Sequence, residues 1–316
     1  MNTAISQHFQ TARTGIGPFL ALSRTPHALI DLTTPALTAI LFLGHLPPVS
    51  VILIGILTGF AGYTAVYGLN DIVDYRVDKE KTCFGQDADC ENYLDDALIR
   101  HPMAKGVLGF NKGVAWVVGW TLVTLIGAYA LNPVCLYIFL SGCALETIYC
   151  MLWRLSPLRA LVNGVVKACG PIAAIYAVSP DPSFPFVLLV FTWIFLWEIG
   201  GQNIPHDWTD VEEDRFFNAK TIPLVMGPTR SALLSLTALV STTFLQFIVL
   251  AASPLAFGPV YLLAALCIAF FMLLKPAFHL TDTLAREKAM ALFNRASYYP
   301  MALFGLALFR LLEQMV

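Results

Sequence analysis

Residues 70–80 read NDIVDYRVDKE and residues 206–216 read HDWTDVEEDRF, and each stretch directly follows a long apolar segment. We call them the first and the second acidic cassette. Both place three aspartates at steps of three and then four positions: Asp71, Asp74 and Asp78 in the first, and Asp207, Asp210 and Asp214 in the second. Because this spacing brings side chains to one face of a helix, each cassette is predicted to present three carboxylates together.

Six clustered carboxylates repel one another strongly unless a cation lies among them. Hard oxygen ligands suit Mg²⁺, which binds a few carboxylates together with the phosphates of a substrate. The two cassettes therefore predict a magnesium site for a diphosphate substrate, at the ends of apolar segments.

The composition indicates an integral membrane protein embedded in a lipid bilayer. Of 316 residues, 57% are hydrophobic and 13% are charged, whereas about a quarter of a soluble domain is charged. The formal net charge of −2 gives no indication of a nucleic-acid partner. Residues 1–17 are mixed and polar, so no cleavable signal peptide is expected.

Several apolar stretches are long enough to cross a bilayer, which takes about 20 residues. We predict nine spans, at residues 26–46, 48–70, 113–131, 133–153, 160–179, 183–203, 230–252, 255–275 and 290–312. Of the 19 Lys and Arg residues, all but Lys167 and Arg310 lie on one side of these spans. Basic loops mark the cytoplasmic face, so both cassettes are expected to face the cytoplasm.

The predicted organisation is one membrane domain preceded by a short N-terminal segment. Residues 1–22 form an N-terminal cytoplasmic segment, and residues 23–316 form a nine-helix domain with cap loops at about 71–112 and 204–229. The matching cassettes suggest an internal duplication, and membrane proteins built from repeats often bind ligands between them.

The basic residues near the cassettes are Arg76, Lys79, Lys81, Lys105, Arg215 and Lys220. Of these we select Lys79, Lys105, Arg215 and Lys220 as candidates for contact with diphosphate oxygens. Metal and basic groups together stabilise the charge that builds on a departing diphosphate. We therefore assign catalytic roles to Asp74, Asp210 and Lys220.

Loss of diphosphate from an allylic substrate leaves a carbocation, and aromatic faces stabilise cations. The aromatic candidates on neighbouring spans are Tyr63, Tyr67, Tyr149, Trp193 and Trp197. The polar residues inside or beside the spans include Asp31, Glu146, Lys167, Glu198 and Asn203. Such residues in a membrane usually serve function, and we assign Lys167, Glu198 and Asn203 to the substrate pocket. Lys167 is expected to pair with Glu198 or to contact the substrate.

Cys83 and Cys90 share a polar loop, where they could form a disulfide or contribute to a metal site. We favour an ordinary solvated loop, because the predicted cytoplasmic location disfavours a disulfide. The other cysteines lie in apolar stretches and are expected to be small core residues.

The chain resembles the UbiA superfamily of intramembrane prenyltransferases at these motifs. Asn70, Asp74 and Asp78 fill the first family motif. Asp210 and Asp214, followed by NAKTIPLVMG, are similar to the second, and SRTPH at 23–27 resembles the opening of the first helix.

The resemblance implies an all-α membrane protein, with nine transmembrane helices around a central cavity and cytoplasmic caps. It also implies two Mg²⁺ ions, a polyprenyl diphosphate donor and an aromatic or other hydrophobic acceptor whose identity stays open. It adds Asn70 to the metal ligands and Arg24 and His27 to the pocket.

Three positions depart from the family pattern. His101-Pro102 stands where Arg-Pro is usual, with Arg100 one position early; His206 replaces the counterpart of Asn70; and Asn218 replaces a glycine. Two other functions stay open: a terpene cyclase of the same superfamily, which quenches the carbocation without an acceptor, and a secondary transporter built from repeated helices.

Overall fold

A computed structural model of the protein describes residues 15–83 and 98–315. In chain order its helices are α1 (Thr25–Leu43), α2 (Val49–Val73), α3 (Tyr75–Cys83), α4 (Phe110–Leu131), α5 (Pro133–Met151), α6 (Arg159–Val178), α7 (Phe184–Thr209), α8 (Val211–Phe216), α9 (Pro228–Ala252), α10 (Pro259–Thr283) and α11 (Arg286–Met315). Two shorter helices, Gly17–Leu22 and Ile222–Met226, precede α1 and α9. The described ranges contain no strand, which confirms the predicted all-α class.

Eight of these helices are long and apolar enough to cross a membrane. They are α1, α2, α4, α5, α6, α7, α9 and α10, and they cover the first eight predicted spans. Helix α11 is 30 residues long and covers the ninth predicted stretch; its crossing of the bilayer stays a prediction.

The outer surface of the bundle is apolar. Large hydrophobic side chains on it are more than half exposed, among them Leu53 on α2, Ile126 on α4 and Phe184 on α7. Such a surface suits lipid chains rather than water, and the protein is a multi-pass membrane protein.

The dense part of the interior lies where α7 packs against α9 and α11. Trp193 and Trp197 of α7 are almost fully buried there. The indole of Trp193 donates to the Tyr299 hydroxyl at 3.1 Å, and that of Trp197 donates to the Ala296 carbonyl at 3.1 Å. These two residues were predicted on spans that could line the pocket. They belong instead to the core, because both indole N–H groups are bonded to α11.

Helix α7 contains a π-helical turn at Glu198–Asn203, just before the second cassette. Gly200 lies in this turn, where a Cβ would come within 2.8 Å of the Ser235 carbonyl oxygen on α9. The Ser235 hydroxyl donates to the Gly200 carbonyl. Wide turns of this kind are rare and frequent at functional sites, and this one sets the direction of the side chains that follow.

Each acidic cassette spans a break between two helices. Helix α2 ends at Val73 and α3 begins at Tyr75, with Asp74 between them at φ −85° and ψ 1°. Helix α7 ends at Thr209 and α8 begins after Asp210, which has φ −101° and ψ 11°. The prediction of one continuous helical face is therefore wrong, because the central aspartate of each cassette has left the helical conformation.

The loop before α4 forms a cap near the first cassette. His101 has a left-handed backbone with φ 51°, and the carbonyl of Pro102 accepts the backbone N–H groups of Val107 and Leu108 at 3.0 Å. Met103 and Leu108 pack against Leu22 and Val117 in a small cluster. Cys90, and with it the Cys83–Cys90 hypothesis, lies outside the described residues.

Candidate active site

A cavity of about 1270 Å³ opens between α1, α2, α5, α6 and α7. All three aspartates of each cassette line it, together with Asn70. Its other end reaches Leu46, Val51, Leu131 and Val178, at the opposite ends of the helices. The cavity is therefore acidic at one end and apolar along its depth.

The first cassette meets cations from two other segments. The imidazole Nδ1 of His101 lies 2.9 Å from Asp78 Oδ2 and 3.5 Å from Asp71 Oδ1. Arg24 Nη2 lies 3.5 Å from Asp71 Oδ1 and 3.4 Å from the amide oxygen of Asn70. The Asn70 amide donates to Glu146 Oε1 at 2.7 Å, which fixes its oxygen toward Arg24.

The second cassette is held by donors from the cap loop and from the end of α5. Arg100 Nη2 lies 3.1 Å from Asp210 Oδ2. The indole of Trp153 donates to Asp214 Oδ1 at 3.1 Å. Asp207 is 4% exposed, and its Oδ2 is buried without a hydrogen-bond partner among the described residues.

Residues that follow the first cassette connect it to the second. Lys81 of α3 lies 2.6 Å from Glu213 of α8, and its ammonium lies 4.4 Å from the centre of the Trp153 ring. Arg100 and His101 are adjacent in the cap loop, yet each contacts a different cassette. The two acidic breaks therefore close one end of the same cavity.

The electrostatics of this end favour a bound cation. Burial and the Asp207 carboxylate raise the pKa of Asp214 to about 7, and burial and Asp78 raise the pKa of Asp74. Burial lowers the pKa of the His101 imidazole, but Asp78 and Asp71 outweigh it and raise that pKa to about 9. Unpartnered Asp207 Oδ2 and these repelling carboxylates fit divalent cations with oxygen ligands.

One of the four predicted diphosphate contacts, Lys105, lines the cavity. Lys79, Arg215 and Lys220 are exposed and do not line it. Arg215 instead pairs with Glu212 at 3.3 Å, and the backbone N–H of Lys220 donates to the Trp153 carbonyl at 2.8 Å. A diphosphate contact by these three remains a prediction that no contact in the structure supports.

Three cations that line the cavity were not selected from the sequence as diphosphate contacts: Lys81, Arg100 and Arg159. Lys81 and Arg100 were noted near the motifs, and Arg159 was missed. Arg159 is 8% exposed at the start of α6. It donates to the Tyr149 hydroxyl, and its guanidinium lies 4.2 Å from the centre of the Tyr149 ring. Its Nε is buried without a hydrogen-bond partner in the described part of the chain. The sequence did hold a signal for Arg159, because this arginine begins an apolar span on the same side of the membrane as both cassettes.

A polar layer lies about one helical turn below the first cassette, since Tyr67 precedes Asp71 by four residues. Lys167 contacts both carboxylate oxygens of Asp31 at 2.7 Å, and the Tyr67 hydroxyl donates to Asp31. The predicted pairing of Lys167 with Glu198 is wrong. Lys167 forms its ion pair with Asp31, and Asn163 donates to Glu198 at 2.8 Å.

The structure brings all seven predicted pocket residues to the cavity lining: Arg24, His27, Tyr67, Tyr149, Lys167, Glu198 and Asn203. His27 Nε2 lies 3.9 Å from Asp31 Oδ1, and the Asn203 amide lies 3.5 Å from the Tyr149 hydroxyl. A single polar wall therefore runs from the cassettes into the apolar part of the cavity.

Two proteins of known activity are similar to this chain. The digeranylgeranylglyceryl phosphate synthase of Thermococcus sibiricus is 28% identical over 211 residues, which are 66% of this chain and 68% of that protein. The synthase of the same name from Thermococcus kodakarensis is 23% identical over 223 residues, 68% of this chain and 70% of that protein.

Solved structures share the fold. A UbiA homologue from Aeropyrum pernix matches with a TM-score of 0.71 and 18% identity, over 92% of this chain and 98% of that one. A UbiA homologue from Archaeoglobus fulgidus, bound to GPP and Mg²⁺, matches with a TM-score of 0.66 and 14% identity, over 93% of this chain and 99% of that one. A model of the UbiA prenyltransferase family matches residues 32–299. The chain therefore belongs to the UbiA prenyltransferase family, and it is a membrane-embedded prenyltransferase.

Proposed function

We propose that the protein is a Mg²⁺-dependent prenyltransferase that ionises an allylic polyprenyl diphosphate and transfers the prenyl group to a lipid-like or aromatic acceptor. One observation carries the proposal: both acidic cassettes line one end of a deep apolar cavity that is also lined by Lys81, Arg100 and Arg159. Carboxylates beside cations at the mouth of an apolar cavity suit a ligand with a diphosphate head and a hydrocarbon tail.

The carboxylates of the cassettes would hold two Mg²⁺ ions: Asp71, Asp74 and Asp78 with Asn70 on one side, and Asp207, Asp210 and Asp214 on the other. When bound, Mg²⁺ neutralises the charge that develops on the leaving diphosphate. The Archaeoglobus fulgidus homologue bound to GPP and Mg²⁺ supports this assignment.

The protein's own cations would take the remaining charge of the diphosphate. Arg159 is the strongest candidate, because its Nε is buried with no partner in the described residues while the side chain lines the cavity. Its planar group can bind two phosphate oxygens at once. Lys81, Lys105 and Arg100 border the same end. We assign these four residues, rather than Lys79, Arg215 and Lys220, to diphosphate binding.

The prenyl chain would extend along the apolar part of the cavity. Tyr67 and Val51 both line it and lie sixteen positions apart on α2, which is about 24 Å along a helix. This depth is most of the roughly 30 Å hydrocarbon core of a bilayer, and it favours a long polyprenyl chain. Tyr63 and Tyr67 stack near the cassette, with ring centres 6.5 Å apart, where their faces can stabilise an allylic cation.

The acceptor would approach the polar layer beneath the diphosphate. Asp31, held by Lys167 and Tyr67, is a carboxylate within that layer, and in this proposal it would accept the proton of an acceptor hydroxyl. The relatives named digeranylgeranylglyceryl phosphate synthase make a glyceryl phosphate lipid the first acceptor to test. The basic loops support a cytoplasmic location for this end of the cavity.

The test is product analysis by mass spectrometry with purified protein and geranyl or geranylgeranyl diphosphate. Each donor is offered with a geranylgeranylglyceryl phosphate, with a phenolic acid and with no acceptor, in Mg²⁺ and in EDTA. We expect a prenylated acceptor that is absent in EDTA. A terpene hydrocarbon or alcohol formed without acceptor would instead identify a cyclase, and undiminished turnover in EDTA would overturn the metal-dependent reaction.

A further inference from the structure

We propose that His101 is a metal ligand in this protein. In this assignment Nδ1 of His101 releases its proton when the metal binds. It then joins Asp71 and Asp78 in a mixed nitrogen-and-oxygen site that binds Mn²⁺ or another first-row transition ion more tightly than it binds Mg²⁺. The inference rests on the proposed function, since it takes the first cassette to bind a divalent cation.

The separations between the three ligand atoms are those of a coordination sphere. Two atoms that each lie about 2.1 Å from one cation are about 3.0 Å apart at a right angle and about 3.4 Å apart at a tetrahedral angle. His101 Nδ1 is 2.9 Å from Asp78 Oδ2 and 3.5 Å from Asp71 Oδ1. One ligand atom from each of the three residues lies within 4.8 Å of the other two.

The imidazole nitrogen is buried, and it is not engaged in a well-formed hydrogen bond. Nδ1 has no hydrogen-bond partner of acceptable angle within the described ranges, although Asp78 Oδ2 is near enough for one. Nitrogen and carboxylate oxygens that approach without pointing at each other can all point at a common third atom, which is the arrangement that ligands adopt around an ion.

The backbone of the cap loop is built to present this side chain. His101 adopts a left-handed conformation at φ 51°, which costs energy for a residue other than glycine and is often retained at binding sites. The same conformation lets two adjacent side chains point to different cassettes. Arg100 contacts Asp210 of the second, while His101 contacts Asp78 of the first. A packed cluster that contains Met103 holds the loop in place.

The two cassettes then differ in their chemistry. Among the residues that the structure describes, Asp71, Asp78 and His101 form a group of three possible metal ligands with this close spacing. The aspartates of the second cassette form no such group with a histidine in those residues. Imidazole nitrogen suits Fe²⁺, Ni²⁺, Cu²⁺ and Zn²⁺. Mn²⁺ occupies carboxylate sites as Mg²⁺ does but also accepts an imidazole ligand, whereas Mg²⁺ favours oxygen alone. The first cassette would select a transition ion, and the second would keep the preference for Mg²⁺.

The experiment uses the full chain in lipid nanodiscs with MnCl₂ as the probe, added up to two equivalents without Mg²⁺ or substrate. Pulsed electron paramagnetic resonance detects a nitrogen nucleus bound directly to Mn²⁺. We expect an imidazole nitrogen signal from the wild type and none from His101→Asn, because asparagine tolerates the left-handed backbone and offers only an oxygen ligand. His206→Asn is the matched control, since His206 also lines the cavity, and it should keep the signal.

Competition between Mn²⁺ and Mg²⁺ gives a second measurement. Loss of a residue that hydrogen-bonds to a metal ligand lowers metal affinity about 10–100-fold. Loss of the ligand itself in His101→Asn should therefore weaken Mn²⁺ binding by at least about tenfold. Mg²⁺ binding should weaken less. Bound Mn²⁺ without a nitrogen signal, or a signal removed by His206→Asn instead, would overturn the assignment. If the wild type binds no Mn²⁺ at all while turnover still requires Mg²⁺, the assignment of His101 is wrong and the proposed function stands.

Discussion

Arg100 Nη2 lies 3.1 Å from Asp210 Oδ2, so the cap loop that follows the first cassette is bonded to the centre of the second. Burial raises the pKa of Asp210, but Arg100 and His206 outweigh it and hold that pKa below its usual value. Arg100 therefore keeps Asp210 ionised, and the side chain borders the cavity where diphosphate would bind. Arg100, which stands one position early relative to the family motif, thus lines the candidate site.

We expect Arg100→Ala to lower kcat/KM for the prenyl diphosphate by about 100-fold, the cost of removing one donor that stabilises developing charge. Steady-state kinetics with a fixed acceptor measures it. Arg215→Ala is the matched control, because Arg215 is exposed and pairs with Glu212 on the same short helix; its effect should stay within about twofold. Equal losses in both variants would contradict the role of Arg100.

The aspartates of both cassettes should be required for metal binding. Asp74 lies at the break between α2 and α3, and Asp207 Oδ2 is buried without a partner in the described residues. Because loss of a group that only supports a metal ligand costs about 10–100-fold, Asp74→Ala and Asp207→Asn should each reduce turnover by more than about 100-fold.

The same variants should remain folded. Neutral asparagine relieves the repulsion among buried carboxylates, so Asp207→Asn should melt at or above the wild-type temperature in detergent, and calorimetric titration with Mg²⁺ should show weakened binding. A variant that binds Mg²⁺ normally yet is inactive would place Asp207 on the substrate instead of on the metal.

The buried pair of Lys167 and Asp31 separates a structural role from a functional one. Removing one partner of a buried ion pair costs about 3–5 kcal/mol, whereas replacing both is often neutral. Asp31→Asn and Lys167→Met should therefore each lower the melting temperature, and the double variant should recover it. If Asp31 accepts the proton of the acceptor, the stable double variant stays inactive in transfer while ionisation of the diphosphate continues. Restored transfer in the double variant would make the pair purely structural.

The convergence of the carboxylates was predictable from the sequence, whereas only some of the cations around them were: Arg24 and Lys105 line the cavity, but Lys79, Arg215 and Lys220 do not. Six aspartates repeat with one spacing at the ends of two spans, and this pattern alone places them together. Lys79 and Lys81 lie two positions apart on α3, so they point to opposite sides. Helix α3 begins anew after Asp74, and the apolar period of α2 could not be extended through that break to decide which lysine faces the cavity.

The tail after the second cassette illustrates the same limit. Lys220 follows an acidic motif and resembles a ligand by position, but its backbone is bonded to the Trp153 carbonyl and its side chain is exposed. Arg159 is distant in sequence from both cassettes, and only the packing of α6 beside α5 and α7 brings it to the cavity. Tertiary packing, which local spacing does not encode, selected the cations.

The side of the membrane on which the cassettes open can be tested at Asn218. This residue follows the second cassette in an exposed left-handed turn at φ 57°. Asn218→Cys should be labelled by an impermeant maleimide only after the cells are permeabilised, because the basic loops predict a cytoplasmic location. The wild type, which carries exposed Cys267 on α10, gives the background. Labelling of Asn218→Cys in intact cells above that background would reverse the proposed orientation.

The depth of the cavity should set the length of the prenyl chain that the enzyme accepts. Gly55 lines the cavity on α2, and a Cβ added there would meet no atom within 4 Å. It lies twelve positions before Tyr67, about 18 Å along the helix, far from the cassettes. Gly55→Trp should therefore fill the distal part of the cavity without disturbing the metal site or the fold.

We expect Gly55→Trp to lower kcat/KM for geranylgeranyl diphosphate by at least about tenfold and to leave geranyl diphosphate within about twofold. The shorter chain ends before the new ring, whereas the longer chain would have to displace it or bend within a closely packed interior, and overpacking costs about 1–3 kcal/mol. Gly305→Trp is the matched control, since a Cβ at Gly305 also meets no atom within 4 Å but the residue does not line the cavity. Competition between the two donors in one reaction, read by mass spectrometry, measures the ratio directly. An unchanged ratio in Gly55→Trp would mean that the chain leaves the cavity above Gly55, through an opening between helices, and that the distal cavity does not bind it.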